Sequence, residues 1–318
     1  MLNKDLGLLS TYRGELMGLA ILLILTYHAF LYTSAPDIVK TLTQTGRIGV
    51  DFFLILSAIG LYFSLKKNSS LIFFYKKRMN RIIPTYVLLA APYFFYTSFT
   101  QHTGVLGFLS DITFYTSLKG GNNPYYFIEL IVICYMLMPL LFWLSQHKYV
   151  WLVFTTLFCC ICYSFGYIAE GNEIVINRIP IFAIGVVIAK FVYQKTVVPN
   201  VLIVSLFILC LIFVGSYFMP SLGIVGVRIK YSLISIPLLM IIVYILDAFQ
   251  LSSIKRALKF CGNITLEIYM INFPVIAVLT RIFDNIYIIA LLIFIFTITF
   301  SYIAHQAITK FVNREIKR

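Results

Sequence analysis

Apolar runs of about 20 residues, each long enough to carry a helix across a bilayer, follow one another along this chain with short polar or basic breaks between them. Cutting at the breaks predicts ten spans. They are Glu15 to Ser34, Ile48 to Leu65, Ile82 to Phe99, Tyr125 to Leu144, Tyr149 to Ala169, Ile174 to Gln194, Val197 to Phe218, Ile229 to Phe249, Phe260 to Thr280 and Ile286 to Ala307. The apolar piece Val105 to Ser117 is too short to cross and holds Asp111, so it reads as a loop helix or a re-entrant segment. The pattern predicts an all-α integral membrane protein, a bundle of about ten transmembrane helices forming one membrane domain over residues 1–318. No soluble domain, low-complexity tract or internal repeat stands out.

Composition agrees with the pattern. With 61% hydrophobic and 12% charged residues and a mean hydropathy of +0.94, a soluble domain is excluded. No cleavage pattern precedes the first span; the short segment ahead of it holds Lys4 and Asp5 and runs into a full-length helix. The net charge of +13 would point to nucleic acid in a soluble protein. Here the basic residues fall at span ends, so they read as topology determinants and no nucleic-acid partner is expected. With ten spans and the N-terminus inside, the cytoplasmic side collects all but seven of the 25 basic residues; Lys40, Arg47, Lys119, Arg178, Arg228, Lys230 and Arg281 are the seven. That asymmetry predicts both termini in the cytoplasm. The cysteines, Cys134, Cys159, Cys160, Cys162, Cys210 and Cys261, lie in or at the ends of apolar spans, form no metal-ligand spacing, and read as packing. No metal is expected.

One ionisable residue breaks the first run well inside it. His28 lies about 20 Å from Glu15 along a helix axis, in the half nearer the outer end. An ionisable group in hydrocarbon costs at least about 2.5 kcal/mol, so it faces a bundle interior or a wet cavity. Four other spans bring polar groups to the same outer layer: Asp51 from the second, Glu129 from the fourth, Asn177 and Arg178 from the sixth, Asn272 from the ninth. Glu129 or Arg178 alone reads equally as an interfacial charge that snorkels. A carboxylate beside an imidazole fixes its tautomer and raises its basicity, so His28 with Asp51 is the expected catalytic pair, His28 as general base. Glu267, deep in ITLEIYMIN, is either hydrogen-bonded bundle glue or part of a substrate path. His305 reads as packing or snorkelling.

The stretch FYKKRMNRIIPTY gathers Lys76, Lys77, Arg78 and Arg81 where the third span begins, with Pro84 suited to the first turn of a helix starting near Ile82. It is an ordinary positive-inside loop or a site for a phosphorylated ligand, since guanidinium and ammonium groups at a helix start suit phosphate oxygens.

Taken in order, RGELMGLAILLILTYH, GRIGVDFFLILSAIGLYFSL, FYKKRMNRIIPTY, YYFIELIVICYMLMP, NRIPIFAIG and ITLEIYMIN resemble the membrane-bound acyltransferase-3 family from Arg13 to Asn272. The resemblance implies an O-acyltransferase of a multi-pass cell membrane protein, with a bacterial plasma membrane as the expected location. It would move an acyl group, usually acetyl, from cytoplasmic acyl-CoA to a hydroxyl of a cell-surface or exported carbohydrate, lipid-linked or polymeric. It matches His28 to the family's first-helix histidine and Gly49, Val50, Asp51 and Ser57 to its GVDxFxxxSG block, with Ala58 where glycine is usual. Arg78 and Arg81 match its basic block, and these with Arg13 are expected to hold the CoA phosphates. Glu129, Arg178, Glu267, Asn272 and Ser57 are the expected substrate or oxyanion residues, Arg178 or Asn272 in the oxyanion role. Two departures stand out: Met17 where an arginine is common, with Arg13 one turn earlier in its stead, and Asn272 where a second histidine is common. A secondary transporter using His, Asp and Glu as a proton relay is the competing class, although the paired broken helices of such proteins are not evident. A catalytically inactive membrane partner is a third, against which an intact His28 and Asp51 argue.

Overall fold

The computed structural model describes residues 5–31, 35–121, 123–147, 154–155, 157–162, 164, 173–197, 223–249 and 251–317. The described chain is helical and forms no strand: α1 Leu8–Thr11, α2 Arg13–Leu31, α3 Asp37–Gln44, α4 Ile48–Lys67, α5 Leu71–Thr100, α6 Gly104–Ile112, α7 Tyr115–Leu118, α8 Tyr126–Gln146, α9 Glu173–Ile176, α10 Ile179–Tyr193, α11 Gly223–Ala248, α12 Ser252–Asn263, α13 Thr265–Ile282 and α14 Ile286–Lys317. Among the described residues seven helical runs are long and apolar enough to cross a membrane, and α10 is a shorter apolar helix. The expected seventh span, and most of the fifth, lie outside the described residues.

Three expected spans differ from the helices seen. The third does not begin near Ile82: α5 starts at Leu71, where the Ser70 side chain accepts from the Phe73 amide, so Pro84 is interior to the helix. A membrane bundle tolerates that because neighbours re-satisfy the backbone that proline leaves unpaired. The basic stretch is therefore helix rather than loop. It places Phe74, Arg78, Arg81 and Thr85 on one stripe by their three- and four-residue spacing. The sixth span breaks at Asn177 and Arg178, with Pro180 opening α10. The ninth breaks at Ile264, between α12 and α13.

The centre of the bundle is α4, buried along most of its length, with α2 and α10 on two of its faces. Small residues set those contacts. A Cβ on Gly49 would lie 2.4 Å from the Ala20 carbonyl oxygen of α2, and one on Gly185 of α10 would lie 3.0 Å from the Ala58 Cβ. The face of α4 carrying Asp51, Ile55 and Ala58 is thus turned to α10, and the face carrying Gly49 to α2, which Gly46 in the turn before α4 also meets. On its other side α2 meets α12 at near backbone contact, where a Cβ on Gly18 would sit 1.8 Å from the Leu258 carbonyl oxygen. Close approach through small residues is how helices associate where lipid provides no hydrophobic drive.

Contacts along the helices order them by direction. Arg81 meets Glu267 near one end and Tyr96 meets Arg281 near the other, so α5 and α13 run parallel. Helices α4, α8 and α10 run the opposite way, tied where Lys66 meets Gln146 and Lys190 meets the Ser145 carbonyl. One end of the bundle therefore gathers Arg13, Lys67, Lys77, Arg78 and Arg81, and the other holds His28.

Candidate active site

His28 is 7% exposed and faces the bundle interior, not lipid. Its Nδ1 lies 3.2 Å from Asn272 Oδ1, and the Phe273 ring packs at 4.8 Å. The amide orientation follows from its other bonds. Asn272 Nδ2 donates to the Tyr269 carbonyl at 2.7 Å and toward the Ile268 carbonyl at 3.4 Å, so both N–H groups turn back on α13 and the oxygen faces the imidazole. An oxygen only accepts, hence Nδ1 carries the proton and Nε2 the lone pair.

Asp51 is buried too but meets a different partner. Arg178 Nη1 lies 3.5 Å from Asp51 Oδ1, with both side chains almost wholly enclosed, and no direct hydrogen bond joins His28 to Asp51 among the described contacts. The described contacts give His28 the Asn272 amide and Asp51 the Arg178 guanidinium. The reason lies in azimuth: α4 turns Asp51 toward α10, whereas His28 of α2 looks toward α13. Asn177, 1% exposed beside Arg178, has neither amide atom hydrogen-bonded among the described residues.

At the other end, a cavity of about 530 Å³ is lined by Arg13, Ser64, Lys67, Asn68, Lys77 and Arg78. A second, of about 330 Å³, shares Arg13, Ser57 and Tyr135 with it and runs between α2, α4, α8 and α13. Its walls change from Arg13, Arg81 and Asn263 to Ile24, Phe53, Phe127 and Tyr269. Ile24 and Tyr269 lie one turn before His28 and Phe273, so the second cavity ends about one helical turn short of the imidazole. Arg13 fits here because Gly60 leaves it room: its Nε donates to the Leu56 carbonyl at 2.7 Å, and a Cβ at Gly60 would lie 2.7 Å from the guanidinium carbon. Met17, at the usual arginine position, is part of the second cavity's wall.

The remaining expected residues separate. Glu129 accepts from Ser117 Oγ at 2.5 Å, which ties α8 to α7. Glu267 binds Arg81 through two bonds, Nη1 to Oε1 at 2.5 Å and Nη2 to Oε2 at 2.9 Å, and His305 Nδ1 lies 3.0 Å from Oε1. Arg81 is therefore committed to an internal carboxylate, and of the three expected phosphate ligands Arg13 and Arg78 face the polar cavity. The Glu267–His305 contact was not expected, because a histidine near the end of the last apolar run gives no sign of its partner. Tyr135, Lys67, Ser64 and Asn68 were also missed, whereas Lys77 belongs to the basic cluster named above. Their signal was weak: one end-of-span lysine and polar residues of common type. No cluster of histidine, cysteine or acidic residues suited to a metal ion stands among the described residues, and the five described cysteines are free thiols, Cys134, Cys162 and Cys261 of them buried.

The described residues thus form a multi-pass helical membrane protein with a basic polar cavity at one end, a buried imidazole toward the other and a partly apolar cavity between them. The sequence model of the acyltransferase-3 family, described as an acyltransferase domain, matches residues 16–306, and the chain belongs to that family. No curated protein and no solved structure matches it. Family membership makes the protein an acyltransferase of the membrane and does not favour the transporter reading.

Proposed function

We propose that the protein is an O-acyltransferase of the bacterial plasma membrane, N-terminus and C-terminus in the cytoplasm, that moves an acyl group, acetyl foremost, from acyl-CoA to a hydroxyl of a cell-surface or exported carbohydrate. One observation carries this reading: α2 has Arg13 at the polar cavity and His28 beyond the apolar one, about 22 Å apart along the axis. An extended pantetheine arm covers that span. Acyl-CoA is then the donor substrate, its phosphates against Arg13, Lys67, Lys77 and Arg78, and its arm between α2, α4 and α8. The larger share of basic charge at that end supports its cytoplasmic placement.

At the other end, His28 Nε2 removes the proton of the acceptor hydroxyl, whose oxygen attacks the thioester carbonyl. Arg178, steadied by Asp51, stabilises the oxyanion. As the intermediate collapses the C–S bond breaks, the ester stays with the acceptor, and the proton taken by His28 passes to the departing thiolate. Asn177 offers donor and acceptor groups to the carbohydrate. The acyl group crosses to the acceptor while CoA stays where it bound.

The test is transfer from radiolabelled acetyl-CoA by the purified protein in lipid nanodiscs, with carbohydrate acceptors from the cell envelope. Label in the acceptor, lost in His28→Ala, supports the reading. Thioester intact with every acceptor removes it. For the donor site, Arg13→Ala with Arg78→Ala raises the acyl-CoA KM by about tenfold or more while kcat changes less; unchanged kinetics removes these residues from it.

A further inference from the structure

The floor beneath His28 is a layer of rings. Phe53 and Phe127 lie 5.9 Å apart, Phe127 and Tyr269 5.4 Å, Tyr269 and Phe273 6.1 Å, and Phe273 packs on His28 itself. Three of these rings, Phe53, Phe127 and Tyr269, also line the apolar cavity. The members differ in freedom. Tyr269 is fixed at its hydroxyl, which donates to the Pro124 carbonyl at 2.9 Å and accepts from the Phe127 amide at 3.3 Å. Tyr125 adds a third tie by donating to the Met270 carbonyl at 3.0 Å. Phe53 is buried in the centre of the bundle. The Phe127 side chain is held by packing alone and is half-buried at the cavity wall.

Resting on the donor reading above, we propose that Phe127 is the residue that restricts the donor to short acyl groups. A thioester whose arm fills the cavity has its sulfur near the cavity's end, and its carbonyl carbon must come within reach of a hydroxyl at His28. One helical turn separates the two, and the rings run from Phe53, Phe127 and Tyr269 at the cavity wall through Phe273 to the imidazole. The acyl chain attached to that carbon has to lie among these rings. Phe53 and Tyr269 cannot yield without disturbing the α4 core or the α8–α13 ties, so the room left beside Phe127 sets the chain length. A hydrophobic wall discriminates by one or more methylenes to the extent of about 10- to 200-fold, which is the scale expected here.

The experiment compares acetyl-, butyryl- and hexanoyl-CoA with the whole protein in nanodiscs, reading acyl transfer to the same acceptor. Wild type prefers acetyl; Phe127→Ala raises the hexanoyl-to-acetyl ratio of kcat/KM by about tenfold or more, and Phe127→Leu raises the butyryl-to-acetyl ratio by a smaller factor. A ratio is insensitive to the fraction of folded protein, and Phe127→Leu keeps the test in force should the alanine variant not accumulate. Ratios unchanged within twofold in a variant that still transfers acetyl overturn the assignment of Phe127 while leaving the donor reading intact. A wild-type protein that consumes none of the three thioesters overturns both.

Discussion

His28 is oriented by an amide, and that choice has kinetic consequences. An asparagine holds the Nδ1 proton in place as a carboxylate would, without competing for the proton that Nε2 takes in the proposed mechanism. Asn272→Leu keeps the volume and removes the acceptor, so kcat falls by about 100-fold, at the lower end of what a positioned base contributes, while the acyl-CoA KM stays within about threefold. Steady-state kinetics decides, and an unchanged kcat refutes the orienting role. His28 was legible in the sequence because an ionisable residue inside an apolar run stands out against its neighbours. Its partner was not. Register along a span gives depth, and Asp51 and Asn272 share a depth; which of them faces the imidazole depends on the rotation of each helix, fixed by the glycine contacts of α2 and α4 and the α4–α10 seam.

Between elements, the α2–α12 seam fixes where the His28 helix stands. The Gly18 Cα nearly touches the backbone of α12, whereas a Cβ on Gly14 meets only Lys259 Cγ at 3.4 Å. Gly18→Ala therefore forces the helices apart and costs about 3 kcal/mol, the upper end for overpacking, while Gly14→Ala is near neutral; thermal unfolding in detergent separates the two. The Arg81–Glu267 tie is asymmetric, since the arginine side chain is 41% exposed and the glutamate fully enclosed. Arg81→Met leaves a carboxylate buried with only His305 and lowers the Tm further than Glu267→Gln does. Equal shifts would mean that Arg81 is not the main counter-charge. Hydropathy located most of these helices and misjudged their ends. The start of α5 at Leu71 was hidden because a helix that leaves the apolar layer to carry Lys76, Lys77, Arg78 and Arg81 stops looking apolar before it stops being helical. The breaks at Asn177–Arg178 and Ile264 were hidden for the converse reason, as short interruptions inside runs that remain apolar.

Across the whole molecule, the order of helices places a cationic cavity and a buried base at opposite ends of one element, and α2 is the measure between them. The membrane class and the family were legible because composition and ordered sequence blocks are properties of the whole chain. The passage was not, since its walls come from six helices, α2, α4, α5, α8, α12 and α13, and its lining of Ile24, Phe53, Phe127 and Tyr269 has no composition of its own. The most direct test of the account separates the two ends in one protein: transfer from acetyl-CoA and equilibrium binding of acetyl-CoA, measured side by side for wild type and His28→Ala. The account predicts that His28→Ala binds acetyl-CoA within about threefold of wild type and loses transfer by about 1,000-fold, within the range for a general base. Transfer by His28→Ala at close to the wild-type rate would contradict it.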